Sequence, residues 1–149
     1  MIMPRLSSSL EPRPPLAEEH ALLLLSHMTS ALDYVHSKGF AHGDVKPSNI
    51  CLRGSSEFVL IDFGSVSPFG DRLTSTPAYI PSDISSGFLQ SAACVDWWML
   101  AMTLAEKGCG NNGLSIGTSA VSASKAALIR HLQMNLPESI WFEFRARLV

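Results

Sequence analysis

The chain has 149 residues, of which 46% are hydrophobic and 16% are charged, and its formal net charge is −2. This length predicts one globular unit with a single core, and the near-neutral charge argues against nucleic acid as a partner. No uninterrupted apolar run is long enough to span a bilayer.

The first part of the chain predicts a flexible segment followed by a long helix. Residues 1–16 contain four prolines and three consecutive serines, a composition typical of a flexible lead-in. Apolar side chains then recur at steps of three and four residues from Leu25 to Val35, which predicts a helix over residues 17–37. Gly39 follows as a residue that readily ends a helix in the left-handed conformation.

A small hairpin and a second long helix are predicted next. Apolar residues at 50–52 and 58–61 are separated by a turn at 53–57, so we expect two antiparallel strands. Residues 64–75 are rich in Ser, Pro and Gly and predict an adjustable loop. A second helix is then predicted over residues 95–107.

The last part of the chain predicts a glycine-rich loop at residues 108–118 and helices over residues 121–135 and 137–147. Together these elements predict a mainly α-helical unit with a small β-hairpin. Three cysteines at irregular spacing form no metal pattern and leave one unpaired in any disulfide scheme. With no secretory signal at the N-terminus, we expect an intracellular, cytoplasmic location.

Two motifs carry the chemistry. HGDVKPSN at residues 42–49 places a carboxylate, a lysine and an amide on one loop, and DFG at residues 62–64 follows a short apolar strand. Phosphoryl transfer needs an acceptor for the hydroxyl proton, a cation for the transferred phosphate and oxygen ligands for Mg²⁺. The two motifs in this order therefore point to that reaction.

In this order the motifs resemble the C-terminal lobe of a eukaryotic protein kinase. TPAY at residues 76–79 resembles the substrate-docking segment of that family, and IPSD at 80–83 stands where the family has A-P-E. DWWML at residues 96–100 resembles the start of its long buried helix, and Glu106 follows at the usual spacing.

The resemblance implies a fold and its boundaries. It predicts a kinase-like C-lobe, the helical part of the α+β kinase fold, without the N-terminal lobe. We expect residues 1–16 to be the lead-in and residues 17–149 to be the lobe, with clear resemblance to about residue 108 and divergence after it.

The resemblance also implies roles for individual residues. Asp44 would be the catalytic base, and Lys46 would hold the γ-phosphate as a second catalytic residue. Asn49 and Asp62 would bind Mg²⁺. The residues expected to contact ATP and its metal are Lys46, Ser48, Asn49, Cys51 and Asp62. Simpler roles stay open: a turn cap for Asp44, a turn aspartate for Asp62, and a small buried hydrophobe for Cys51.

Other residues of these motifs are expected to be structural. His42 next to Asp44 suggests a catalytic triad, but no serine elbow or cysteine nucleophile accompanies it. In the family this histidine packs against the phenylalanine of D-F-G and bonds backbone. Asp96 is expected to be a buried anchor for the catalytic loop, and Trp97 and Trp98 to lie in the core.

Three positions depart from the family pattern. Gly43 replaces the arginine that grips a phosphorylated activation loop in many kinases. Asp83 is a shorter carboxylate than the family's glutamate and would need an arginine nearby. The candidates are Arg130, Arg145 and Arg147. Lys107 stands where the family has an apolar residue, and we expect its side chain to extend outward.

The resemblance therefore implies a serine/threonine protein kinase that uses ATP and Mg²⁺ on a protein substrate. The alternative is a catalytically inactive kinase-like binding or scaffold module. No Gly-rich loop or V-A-I-K strand precedes the first motif, and residues 1–16 are too few for an N-terminal lobe. We expect either a truncated gene model or a degenerate relative, and no turnover by these residues alone. The oligomeric state is not predicted.

Overall fold

The part of the chain described by this computed structural model comprises residues 6–73, 77–84, 89–116 and 123–148. Within these residues the α-helices are α1 (Glu18–Ser37), α2 (Ala93–Lys107), α3 (Lys125–Asn135) and α4 (Glu138–Phe144). The strands are β1 (Phe40–Ala41), β2 (Ile50–Arg53), β3 (Glu57–Leu60) and β4 (Ser67–Pro68). No described helix has both the length and the apolar character needed to cross a membrane.

Helix α1 confirms the predicted helix over residues 17–37 to within one residue. Its apolar stripe, which includes Leu24, Leu25, Met28 and Leu32, is buried against the rest of the core. Gly39 has a φ of +80°, so it supplies the left-handed residue after the helix, where glycine has no steric cost.

The predicted hairpin is also confirmed. Strands β2 and β3 are antiparallel, with Ile50 opposite Leu60 and Arg53 opposite Glu57. Helix α1 holds the hairpin, because His27 Nδ1 accepts the Phe58 N–H at 3.1 Å. A second antiparallel pair, β1 with β4, was not predicted, since strands of two residues are too short to show alternation.

Helix α2 lies at the centre of the fold. Its residues from Val95 to Ala105 are all buried, which is the behaviour of a helix that is apolar on every side. Trp97 and Trp98 belong to the core, as predicted. The helix begins two residues before the predicted start, at Ala93.

The C-terminal helices differ from the prediction at their ends. Residues 123 and 124 are not helical, because the Ser124 hydroxyl accepts the Ala127 N–H and caps α3. The predicted start at residue 121 lies outside the described residues. Helix α4 ends at Phe144 and continues as a 3₁₀ turn to Leu148.

The lead-in differs from the expected flexible segment, since its described part packs against strand β2. The Ser7 N–H donates to the Leu52 carbonyl at 2.8 Å, and the Leu10 N–H donates to the Ile50 carbonyl at 2.9 Å. Leu10 is fully buried in the core. The reason is that β2 has a free edge on this side, and its unpaired carbonyls accept from an extended neighbour.

Lys107 is not directed outward, and this expectation was wrong. Its side chain is buried, and Nζ donates to the carbonyls of Glu11 at 3.0 Å and Arg13 at 2.7 Å. A lysine head is tolerated inside a protein when its N–H groups find acceptors. Here the lead-in supplies those acceptors.

Candidate active site

The first motif forms a loop between β1 and β2, and helix α2 holds its backbone. Asp96 is fully buried. Its carboxylate accepts the His42 N–H at 2.8 Å, the Gly43 N–H at 2.9 Å and a bond from His36 Nε2 at 2.8 Å. The predicted anchor is confirmed, and bonds to an ionised carboxylate are among the stronger hydrogen bonds in proteins.

His42 has the structural role expected of it. Its Nδ1 accepts the Asp44 N–H at 3.2 Å, so Nε2 carries the proton and donates to the Ile61 carbonyl at 3.1 Å. The ring also contacts Phe63 edge to face, with 5.0 Å between centroids. The Nδ1 bond therefore steadies the first motif, while the Nε2 bond and the ring contact join it to the second.

Three predicted site residues of the loop come together. Lys46 Nζ lies 3.5 Å from Asp44 Oδ1. Asn49 is buried, and its Nδ2 donates to the Asp44 carbonyl at 2.8 Å and to Asp44 Oδ2 at 2.9 Å. The carboxylate of Asp44 is thus held from two sides in a fixed orientation.

Asp62 is tied to the same loop through the backbone. The Ile61 N–H donates to the Asn49 carbonyl at 2.8 Å, which fixes the start of the second motif next to the end of the first. Asp62 itself has a φ of 60° and is the one described non-glycine residue with positive φ. Such a conformation is uncommon outside glycine and often marks a functional site.

The side chain of Asp62 has one local bond. Its Oδ1 accepts the Gly64 N–H at 3.2 Å, as in a turn aspartate, while the residue remains exposed. The local bond uses one carboxylate oxygen, so it is compatible with metal binding by the other. The turn role and the ligand role therefore do not compete.

The two remaining predicted contact residues are Ser48, inside the first motif, and Cys51, on β2. Ser48 is half-buried in the 3₁₀ turn formed by Pro47–Asn49. Cys51 is buried on β2, where it faces Val59 of β3 and also pairs with Ser9 of the lead-in. Its burial fits the simple apolar role as well as a place beneath a ligand.

Gly43 has a backbone conformation that no other residue adopts easily. Its φ is +81°, and an added Cβ would come within 2.8 Å of the Ser65 carbonyl oxygen and of a Leu73 methyl group. We expect Gly43→Ala to lower the free energy of unfolding by about 2–5 kcal/mol, since left-handed strain adds to overpacking. Urea denaturation measures this.

The matched control is Gly54→Ala. Gly54 has a φ of +68°, but nothing lies within 4 Å of an added Cβ, so only left-handed strain of about 1–2 kcal/mol is expected. Equal losses for the two variants would contradict the steric argument at Gly43.

The segment downstream is joined to the end of α2. The Tyr79 hydroxyl donates to Glu106 Oε2 at 2.5 Å. Burial, reinforced by this bond, raises the pKa of Tyr79 far above its usual value, so the hydroxyl stays a donor. Thr76, the first residue of TPAY, lies outside the described residues.

Asp83 does not show the expected arginine partner among the described ion pairs. Its Oδ1 instead accepts the backbone N–H of Lys125 at 2.9 Å, at the start of α3. Of the candidates, Arg147 pairs with Asp33, and Arg145 stacks on Phe142. A carboxylate at a helix N-terminus is satisfied by free N–H groups and by the helix dipole.

Sequence reasoning missed His36 as part of the site's support. This residue near the end of α1 contacts Asp96 across 60 residues of sequence. No local signal could have found this contact, because the spacing between the two residues follows no period.

The known proteins that this chain resembles are protein kinases. The protein kinase domain family matches this chain over residues 2–143. 3-Phosphoinositide-dependent protein kinase 1 of Arabidopsis thaliana is 33% identical over 104 residues, which cover 60% of this chain and 21% of that protein. Mitogen-activated protein kinase p38a of Drosophila melanogaster is 31% identical over 94 residues, covering 61% of this chain and 26% of that protein.

A shorter match has higher identity. Serine/threonine-protein kinase D of Synechocystis sp. (strain ATCC 27184 / PCC 6803 / Kazusa) is 51% identical over 53 residues, covering 35% of this chain and 10% of that protein. The chain thus spans between a tenth and about a quarter of the length of these three relatives.

Proposed function

This chain belongs to the protein kinase family, and from that premise we propose that it supplies the catalytic lobe of a serine/threonine protein kinase. The reaction would transfer the γ-phosphate of ATP to a serine or threonine hydroxyl of a protein. The observation that carries the proposal is the contact of Asp44 with both Lys46 and Asn49 on a loop anchored by Asp96. A simple turn cap would need no lysine and no buried amide beside it.

Each member of this group has a role that follows from its surroundings. Asp44 would accept the proton of the substrate hydroxyl, and the bond from Asn49 aims its carboxylate. Lys46 would stabilise the negative charge of the phosphate in the transition state. Since the loop backbone is already held by a buried anchor, these groups need little rearrangement before the reaction.

The residues present fit a magnesium–nucleotide complex. Because the Nδ2 of Asn49 bonds Asp44, its carbonyl oxygen Oδ1 is the atom suited to a metal, and Asp62 adds a carboxylate. Oxygen ligands in small number suit Mg²⁺, which keeps several waters and bonds substrate phosphates as well. When bound, the metal would neutralise phosphate charge. Ser48 and Cys51 would border the nucleotide.

A second lobe is needed to complete the cleft. This sequence contains no Gly-rich phosphate loop before the first motif, and Phe63 is 53% exposed beside the proposed metal ligand. Nucleotide held from one side stays solvated and poorly aligned. We therefore expect weak nucleotide binding, poor solubility and no detectable phosphorylation by these 149 residues alone.

The lobe-complete protein, meaning this chain joined to a kinase N-terminal lobe, tests the proposal. We expect it to phosphorylate serine and threonine rather than tyrosine, since Lys46 and Thr76 resemble the pair found beside the acceptor in serine/threonine kinases. Phosphoamino-acid analysis after reaction with a mixed peptide library measures the choice. Mainly phosphotyrosine would contradict the acceptor class, and no transfer at all would favour the inactive binding module.

A further inference from the structure

The end of helix α2 makes three hydrogen bonds to one segment that precedes α1. We call residues 7–16 the strap. Lys107 Nζ donates to the carbonyls of Glu11 and Arg13, and the Lys107 carbonyl accepts the Leu16 N–H at 2.8 Å. Lys107 is only 7% exposed, so water competes little for these bonds.

The other half of the strap lies along β2. Ser7 donates through its N–H and its hydroxyl to the Leu52 carbonyl, and Leu10 donates to the Ile50 carbonyl. Between these bonds Ser9 pairs with Cys51. The strap therefore runs from the β2 edge to the end of α2, with the buried Leu10 between its two attachments.

One helix thus reaches both structures that border the proposed cleft. Asp96, near the start of α2, holds the catalytic loop, and Lys107, at its end, holds the strap. Eleven residues of helix separate them by about 16 Å. Because a packed helix moves as a unit, the two attachments fix the strap and the loop relative to each other.

We propose that Lys107 is a positioning residue that holds the strap against β2 and so holds the edge of the nucleotide pocket next to Cys51. That the strap borders a nucleotide rests on the proposed function, whereas the attachment itself rests on the three bonds. An apolar residue at this position could pack in the core but could not bond the strap carbonyls. Those carbonyls would then be left without their donors.

Amide hydrogen exchange in the 149-residue chain tests the attachment. We expect Lys107→Met to accelerate exchange at Ser7 and Leu10 at least tenfold, with little change at His42 and Gly43, whose amides bond Asp96. Lys107→Arg retains donors and is expected to fall between Lys107→Met and the wild type. Lys125→Met, which removes a lysine that contacts the Trp98 ring, is the matched control and should leave Ser7 and Leu10 unchanged.

Unchanged exchange at Leu10 in Lys107→Met would overturn the inference. Equal acceleration at all four amides would overturn it too, because it would indicate a general loss of stability rather than release of the strap.

A measurement of nucleotide binding distinguishes a failure of this inference from a failure of the proposed function. In the lobe-complete protein we expect Lys107→Met to raise the Kd of a magnesium complex of a non-hydrolysable ATP analogue about five- to tenfold. An unchanged Kd with accelerated strap exchange would overturn the link to the pocket. If the wild-type protein bound no analogue, the proposed function would fail while the exchange result still decided the role of Lys107.

Discussion

Replacing Asp44 with asparagine in the lobe-complete protein is expected to lower kcat by about 10²–10⁴-fold, the usual contribution of a general base. Asparagine has nearly the same shape and keeps an oxygen that can accept from Asn49 Nδ2, so the loop should remain folded. It cannot take a proton from the substrate hydroxyl. Steady-state phosphorylation of a serine peptide, with KM for ATP measured in parallel, gives the result.

The control for this variant is Asp33→Asn. Asp33 lies on α1, pairs with Arg147 at the surface and belongs to neither motif, so kcat should stay within about twofold of the wild type. A kcat for Asp44→Asn within threefold of the wild type would sink the assignment of the base. A fall in kcat with unchanged KM for ATP would support a role in the chemical step.

Replacing Asp96 with alanine is expected to lower the free energy of unfolding by about 3–5 kcal/mol, the usual cost of removing one partner from a buried charged network. The carboxylate is fully buried and bonds two loop amides and His36. Its loss leaves those buried donors without an acceptor. Urea denaturation followed by tryptophan fluorescence measures the change, since Trp97 and Trp98 lie on the same helix.

Asp33→Ala is the matched control for stability. It removes a carboxylate that also forms an ion pair, but the side chain of Asp33 is 50% exposed, and exposed pairs contribute about 0.2–1 kcal/mol. The Arg147 guanidinium holds the pKa of Asp33 below its usual range, so this small contribution is lost as pH falls through that lowered pKa. A loss for Asp96→Ala no larger than for Asp33→Ala would contradict the anchor role.

Much of the fold could be predicted because its signals are local. Apolar residues at helical spacing define α1, a continuous apolar run defines α2, and two short apolar runs with a turn define the β2–β3 hairpin. The structural roles of His42 and Asp96 could be predicted as well, since they follow from motifs whose residues keep a fixed order. Helix ends and two-residue strands could not, because single caps and distant pairing decide them.

The order of Asp44, Lys46, Asn49 and Asp62 along the chain, and the chemistry these side chains offer, were determined by the sequence itself. Only the tertiary structure decided which groups become the hydrogen-bond partners of the polar side chains. Lys107 meets carbonyls 94 and 96 residues away in sequence, and Asp83 meets a helix N-terminus rather than an arginine. The physical reason is that a buried polar group takes whatever partner the packing brings near, and packing joins residues whose spacing follows no period.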